Sequence, residues 1–235
     1  EELRESAERL AQSERESAWK EMARQVAHEI KNPLTPMKLS IQHFQQTWDP
    51  AAAGARERLD RFSNNLVEQI DVLSRIAGEF SHFAQMPPAH PTTIDLAEVA
   101  RTSVQLFGHA PGCSVKLTSH GELLVHADRE HLLRTFNNLI KNAQQAIPDG
   151  RQGVVEVVLR AEGGEAIAEV RDNGAGIPAD TADHVFVPKF TTKSSGMGLG
   201  LPMVKRMVEN AGGRVWFTTE EGVGTSFFVA LPQRG

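Results

Sequence analysis

The sequence predicts a helical hairpin followed by a mixed α/β domain, and three observations lead there. Residues 1–30 contain neither Gly nor Pro and are rich in Glu, Arg and Ala, which favour helix. Leu59, Leu66, Leu73 and Phe80 then repeat every seven residues, with Phe62, Ile76 and Phe83 on the same side. Beyond "QMPPAHPTT" (Gln85–Thr93), the apolar spacing changes to short alternating runs separated by glycines, the pattern of strands.

Composition bounds the possibilities. The 235 residues are 40% hydrophobic and 23% charged, enough for a real core. A net charge of −5 disfavours a general nucleic-acid surface. The single cysteine, Cys113, has no internal partner, which fits a reducing compartment, and a cytoplasmic location is expected. There is no run of about 18 apolar residues and no signal peptide. The chain begins at Glu1 rather than methionine and is expected to be part of a longer protein. Whether that protein is anchored in the inner membrane through an upstream region stays open.

Taken in order, residues 1–48 read as one long helix. Leu3, Ala7 and Leu10 form a thin seam, read as a coiled coil entering from upstream over residues 1–18. Ile30, Leu34, Met37, Ile41, Phe44 and Trp48 continue it at steps of four and three. "DPAAAG" (Asp49–Gly54) is a turn, and a second helix runs from about Ala55 to Ala84. Two seamed helices on a short turn make an antiparallel hairpin. One hairpin has too little core to stand alone, whereas two make a four-helix bundle, so a homodimer is expected. The three prolines of 85–93 read as a linker, which divides the chain into 1–88 and 89–235.

In the second part, Asp95 can cap a helix running to about Phe107. "SVKLTS" and "ELLVHA" read as strands, and Asp128–Ala146 as a helix with Leu132, Leu133, Phe136, Leu139 and Ile140 on one side. "GVVEVVLRAEGGEAIAEVRD" reads as a hairpin turning at Gly163-Gly164. A helix from about Gly198 to Ala211 and a last hairpin, "GRVWFTTEEGVGTSFFVALP", close the chain.

Four stretches carry chemistry. In "AHEIKNPLTP" (Ala27–Pro36), His28 lies roughly 200° from Ile30 at 100° per residue and so faces away from the seam. Glu29 is adjacent and Asn32 follows at i+4 on the face of His28. Pro33 cannot donate to the carbonyl of Glu29, so a bend is expected one turn past His28. "NNLIKNAQQA" (Asn137–Ala146) puts the amides of Asn138 and Asn142 on one helix face. In "RDNGAGIP" (Arg171–Pro178), Asp172 ends a strand, and Gly174 and Gly176 allow close approach of backbone to a ligand. In "TTKSSGMGLGLPMVKRMVENAGG" (Thr191–Gly213), Gly196, Gly198 and Gly200 open into a helix N-terminus, where N–H groups and the helix dipole favour phosphate. Thr191, Thr192 and Lys193 add donors before this loop, and residues 183–195 read as a lid. Taken singly, these are a solvated histidine, a polar helix face, a tight turn and a glycine loop; their order and spacing make them specific.

Together they resemble the catalytic core of bacterial two-component sensor histidine kinases, over essentially all 235 residues. "HEIKNPLTP" resembles the H box, "NNLIKNA" the N box, "DNGAGIP" the G1 box, "VFVPKFTTK" the F box and "GMGLGL" the G2 box. The wording of the H box is most similar to the nitrogen-regulation sensors. The resemblance implies a dimerisation and histidine-phosphotransfer hairpin (1–88). It implies a Bergerat-type (GHKL) two-layer α/β sandwich that binds ATP (89–235), a fold that by itself implies only nucleotide binding.

By resemblance, His28 matches the phosphoacceptor, and Glu29 the acidic neighbour that fixes its tautomer. Asn142 matches the Mg²⁺ ligand and Asn138 its partner one turn earlier; Lys141 lies between them. Asp172 matches the acceptor for the adenine amino group, in a pocket shaped by Gly174, Gly176 and Ile177. Phe190, Thr192, Lys193, Gly196, Met197, Gly198, Leu199 and Gly200 match the phosphate-side loop and lid. Asn32 matches a position associated with dephosphorylating the regulator, so phosphatase activity is allowed. The implied activity is ATP-dependent autophosphorylation of His28, then transfer to an aspartate of a response-regulator receiver domain. No direct nucleic-acid partner is implied.

There are departures. Gln145 and Ala146 stand where many relatives have a basic and an aromatic residue, Met197 replaces a common threonine, and Val187 and Lys189 are unusual; Phe186 and Phe190 remain. Two other readings share these residues: an ATPase switch without phosphotransfer, against which the outward His28-Glu29 pair argues, and a degenerate scaffold, against which Asn142, Asp172 and the glycine loop argue.

Overall fold

The computed structural model describes residues 2–84, 89–108, 112–187, 198 and 200–234, without the side chains of 2–22, 25, 75 and 79–84. The chain divides into two compact units, the first containing both long helices and the second the described residues from Ala89 onward.

The first unit is a helical hairpin. Helix α1 spans Glu2–Thr47 and α2 spans Ala55–Ala84. Between them Asp49 turns the chain by accepting from the Ala51 N–H at 2.9 Å. Near the turn Phe44 stacks on Phe62 of α2 at 4.1 Å and on Trp48 at 4.8 Å, which joins the two seams. Leu59, Leu66 and Leu73 are half-buried and Ile76 is buried, as the heptad spacing requires. The seam positions Leu3, Ala7, Leu10, Phe80 and Phe83 lie outside the described side chains. Leu34, Leu39, Ile41, Val67 and Ile70 are exposed on the hairpin surface.

Helix α1 is one element through Pro33 and Pro36. The prolines do not interrupt it, although each lacks the N–H that would reach the carbonyl four residues back. Between the prolines, Thr35 donates its Oγ1–H to the Lys31 carbonyl one turn back, at 2.9 Å.

The second unit is a two-layer sandwich. Its five-stranded sheet has the order β2-β4-β5-β7-β6, formed by Cys113–Ser119, Gly153–Glu162, Glu165–Asp172, Gly224–Pro232 and Arg214–Glu220. β2 and β4 are parallel and the other pairs antiparallel, so the sheet is mixed. Helices α3 (Leu96–Phe107), α4 (Arg129–Gln145) and α6 (Gly200–Asn210) cover one face; α5 is the short Ala179–Ala182. Alternating residues Val155, Val157 and Leu159 of β4 and Ala166, Ala168 and Val170 of β5 point into the core. Val99, Phe136, Leu139, Ile140, Val204 and Val208 meet them from the helices. Each large side chain fully buried there contributes about 1.5–3 kcal/mol.

Sequence patterning missed one strand. β1 (Thr92–Asp95) pairs antiparallel with β3 (Leu124–Ala127), whereas the sequence reading ran the linker through Thr93. Four residues after a proline-rich stretch carry no periodicity of their own, and the strand exists only because β3 supplies its partner.

The outward sheet face is closed by its own side chains. Glu169, buried there, accepts from Arg171 Nη2 at 2.8 Å and Ser226 Oγ at 3.0 Å. Arg214 lies 4.4 Å over Trp216, which stacks on Phe228 at 5.2 Å.

Candidate functional site

The hairpin positions the first group of residues. Val26 is buried and Ile30 half-buried on the seam side of α1, so the helical period leaves His28 exposed with Glu29 half-buried beside it. Asn32, one turn on, is also exposed, while Pro33 is buried.

The second group is built around α4. Asp128 caps this helix by accepting from the His131 N–H at 3.0 Å, and its other oxygen accepts from the His90 N–H at 2.7 Å. Burial opposes the charged carboxylate, but these N–H groups, with the attraction of the His131 imidazole and the Glu130 N–H, outweigh it and hold Asp128 below its ordinary value. The apolar face of α4 turns Leu132, Phe136, Leu139, Ile140 and Ala143 into the core. Asn138 and Asn142 therefore fall at the edge of that face, both half-buried, and Lys141 is exposed.

The two asparagines meet the start of α6. Asn138 donates its Nδ2–H to the Arg134 carbonyl at 2.9 Å, which fixes the amide. A Cβ placed on Gly200 would lie 3.0 Å from Asn138 Oδ1 and 3.9 Å from Asn142 Nδ2. Gly200, the first residue of α6, thus lies against both amides, and a larger residue would press on that of Asn138. Gly198, two positions earlier, has φ +63°. The N-terminus of α6, with its unsatisfied N–H groups, is thereby brought beside the Asn138–Asn142 face.

Asp172 closes the constellation. It is buried at the end of β5, and its Oδ1 accepts from the N–H groups of Gly174 at 2.8 Å and Thr225 at 3.2 Å. The following loop is tied down at each step. The Ala175 N–H reaches the Ala146 carbonyl at 2.9 Å, the Gly222 N–H reaches the Ala175 carbonyl at 2.7 Å, and the Ile177 N–H reaches Thr219 Oγ1 at 2.8 Å. The Ile177 side chain packs half-buried on the core.

The glycines of this loop do something the sequence did not reveal. A Cβ at Gly174 would lie 2.6 Å from the Ala146 carbonyl oxygen, and one at Gly176, where φ is +74°, would run into the Glu220 carbonyl. Sequence reasoning gave these glycines to close approach of backbone to a ligand; on the side where a Cβ would stand, each faces protein backbone. The same geometry explains Ala146, which caps the C-terminus of α4 and offers its carbonyl to the loop.

Other expected residues fall elsewhere. Phe186, inside the 183–195 stretch expected to form a lid, packs on Phe217 at 6.0 Å and edge-on to Phe227 at 6.3 Å, which anchors that part of it to the core. Phe190, Thr192, Lys193, Gly196, Met197 and Leu199 lie outside the described residues, as do Thr191 and Lys189. Cys113 feels the site at a distance: burial raises its thiol pKa, a hydrogen bond with Gln144 opposes this, and the Asp172 charge adds to the rise.

Sequence reasoning missed Arg151, Asn173, Thr219 and Thr225. Arg151 lies between the stretches read as helix and hairpin, Asn173 in one that reads as a turn, and Thr219 and Thr225 in a hairpin, and no periodicity separates them from ordinary polar residues. Among the described residues, no group of three or more His, Cys, Asp or Glu is placed to hold a metal ion, and no helix is long and apolar enough to cross a membrane.

Comparison with known proteins bears on both units. Residues 18–88 match the His Kinase A (phospho-acceptor) domain, and residues 127–235 match the histidine kinase-, DNA gyrase B-, and HSP90-like ATPase family. The nitrogen regulation protein NtrY of Azorhizobium caulinodans is 32% identical over 96% of this chain and 30% of its own length. The sensor histidine kinase ZraS of Escherichia coli K12 is 33% identical over 90% of this chain and 45% of its own length. The chain thus spans less than half the length of these curated relatives. Among solved structures, histidine kinase ThkA in complex with the response regulator protein TrrA superposes with a TM-score of 0.75 at 25% identity, covering 100% of this chain and 67% of that one.

Proposed function

The chain belongs to the sensor histidine kinases as their phosphoacceptor and ATP-binding core, and from that premise we propose that it transfers the γ-phosphoryl group of ATP to His28 and then to an aspartate of a response regulator. The observation that carries this reading is the meeting of Gly200 at the α6 N-terminus with the amides of Asn138 and Asn142, in the unit where Asp172 is held by two N–H groups. One helix face, one helix N-terminus and one oriented carboxylate are what a nucleoside triphosphate requires.

Asp172 accepts from the adenine amino group, which selects the base. The N–H groups of the α6 N-terminus, with Gly196, Gly198, Gly200, Thr192 and Lys193, receive the phosphates. Asn142 suits Mg²⁺, with Asn138 oriented beside it. An amide oxygen at a half-buried edge, without an acidic cage, fits a cation that keeps several waters and takes its remaining ligands from phosphate. Bound there, Mg²⁺ neutralises phosphate charge.

On the hairpin, the exposed imidazole of His28 is the nucleophile: its nitrogen attacks γ-phosphorus as the bond to the β–γ bridging oxygen breaks, and ADP leaves. Glu29 accepts the other ring N–H, fixing the tautomer and stabilising the positive charge that develops on the ring. The phosphoryl group then passes to the carboxylate of a receiver domain docked around His28, as the ThkA–TrrA complex suggests by analogy. Asn32, exposed one turn away, is placed to orient a water that hydrolyses the phosphorylated regulator. The exposed Leu34, Leu39, Ile41, Val67 and Ile70 are covered by a second hairpin in a homodimeric four-helix bundle. Residues 1–88 thus serve dimerisation and phosphotransfer, and 89–235 serve ATP binding.

Incubation with γ-labelled ATP and Mg²⁺ tests this reading. The protein becomes labelled, the label is acid-labile and base-stable, and His28→Gln abolishes it. Label that survives His28→Gln refutes the assignment, and ATP turnover without any phosphoprotein refutes phosphotransfer.

A further inference from the structure

We propose that Arg151 is a positioning residue for base recognition: its guanidinium joins the two backbone segments that hold the carboxylate of Asp172. The inference rests on the reading of Asp172 as the acceptor for the adenine amino group.

Arg151 lies in the turn between α4 and β4, where its own N–H donates to the Pro148 carbonyl at 3.1 Å. Its Nη1 donates to the carbonyls of Asn173 at 2.7 Å, Gly174 at 2.9 Å and Gly222 at 3.2 Å. One nitrogen with two hydrogens serves three carbonyls, so at least one bond is shared. Charged donors make the stronger hydrogen bonds, and here one charged nitrogen gathers all three carbonyls.

The partners are what make the arrangement specific. Gly174 supplies one of the two N–H groups on Asp172 Oδ1, and Thr225 supplies the other. Asn173–Gly174 belongs to the loop after β5, and Gly222–Thr225 to the turn into β7. Arg151 therefore bridges the two segments whose N–H groups orient one carboxylate: it holds the Asn173–Gly174 peptide by the carbonyl opposite the N–H on Asp172, and the second segment at Gly222, two peptides before that of Thr225. Asn173 completes the frame: its Oδ1 accepts from the Val154 N–H at 2.8 Å and its Nδ2–H donates to the Gln152 carbonyl at 3.0 Å, which ties the loop to the strand that follows Arg151. Arg151 is itself exposed and contributes nothing to the apolar core, so its removal loosens the frame rather than the fold.

Such a residue acts on discrimination more than on overall affinity. Inosine triphosphate carries an oxygen where ATP carries the amino group, so the ratio of their affinities reads how well Asp172 is aimed. The test is calorimetric titration of the whole chain with ATP and with inosine triphosphate, for the wild type and for Arg151→Ala, Arg151→Lys and Asp172→Asn. Arg151→Ala should weaken ATP binding about 5- to 20-fold with a much smaller effect on inosine triphosphate. Arg151→Lys, which keeps a charged nitrogen donor on an arm of different length and shape, should fall between, and the melting temperature of both should stay near wild type. A wild-type ratio in Arg151→Ala, while Asp172→Asn erases the preference, overturns the proposal. Equal loss for both nucleotides with a large fall in melting temperature also overturns it, since the role would then be structural. An unchanged ratio in Asp172→Asn removes the reading of Asp172 itself, and the proposal with it.

Discussion

Replacing Asp172 in two ways separates nucleotide recognition from folding. Its Oδ1 accepts from the backbone N–H groups of Gly174 at 2.8 Å and Thr225 at 3.2 Å, and the residue is buried. Asp172→Asn keeps an oxygen for those N–H groups but replaces the second oxygen with a donor, which cannot accept from the adenine amino group. A hydrogen bond to a charged partner is worth about 1.5–3 kcal/mol, so ATP affinity should fall roughly 10- to 150-fold. Asp172→Ala removes the acceptor altogether and strands two buried N–H groups, at about 1–3 kcal/mol each. Summed, that is a loss of about 2–6 kcal/mol, or roughly 5–20 °C in the melting of a unit of this size. Isothermal titration with ATP and differential scanning calorimetry read the two effects. The reasoning is refuted if Asp172→Asn binds ATP like the wild type, or if Asp172→Ala melts within about 1 °C of it.

Three further outcomes follow from the same geometry. Gly176→Ala combines a left-handed backbone with a clash on the Glu220 carbonyl, and should destabilise the second unit by at least about 1–2 kcal/mol in urea denaturation. Asp128 has a lowered pKa in the folded state, so its stabilising contribution is complete above the unfolded carboxylate pKa of about 4 and is lost as pH falls through the folded value. The stability gap between the wild type and Asp128→Asn should therefore be constant from pH 7 to about 5 and narrow below about 4. Ile70→Glu, at an exposed apolar position of the hairpin, should shift the chain from dimer to monomer in sedimentation equilibrium while leaving ATP affinity unchanged.

The helical hairpin was legible because its information is periodic. Heptad leucines and a Pro/Gly turn give α2 its bounds of Ala55–Ala84 from local pattern alone. Exposure of His28 likewise follows from the helical period set by Val26 and Ile30. The strand runs of β4, β5, β6 and β7 were equally legible from alternation and paired glycines. What failed was whatever lacks a period. β1 is a strand only because β3 lies beside it, and Arg151 is an unmarked residue in a turn until the chain brings Asn173, Gly174 and Gly222 to its guanidinium. Helix α1 runs on through Pro33, because a long helix loses one hydrogen bond there and keeps the others.

The sequence by itself determined the order of elements, the residues able to carry the chemistry, and the face of α1 on which His28 stands. Each follows from local spacing or from residue type, which the chain carries whether or not it is folded. Only the tertiary structure decided that Gly200 rests on Asn138 and Asn142, that Gly174 and Gly176 make room for backbone, and that Thr225, 53 positions along the chain from Asp172, orients it. Those contacts join residues with no shared period. They are set by how α4, α6 and the sheet close on one core, and that closure is a property of the packed chain alone.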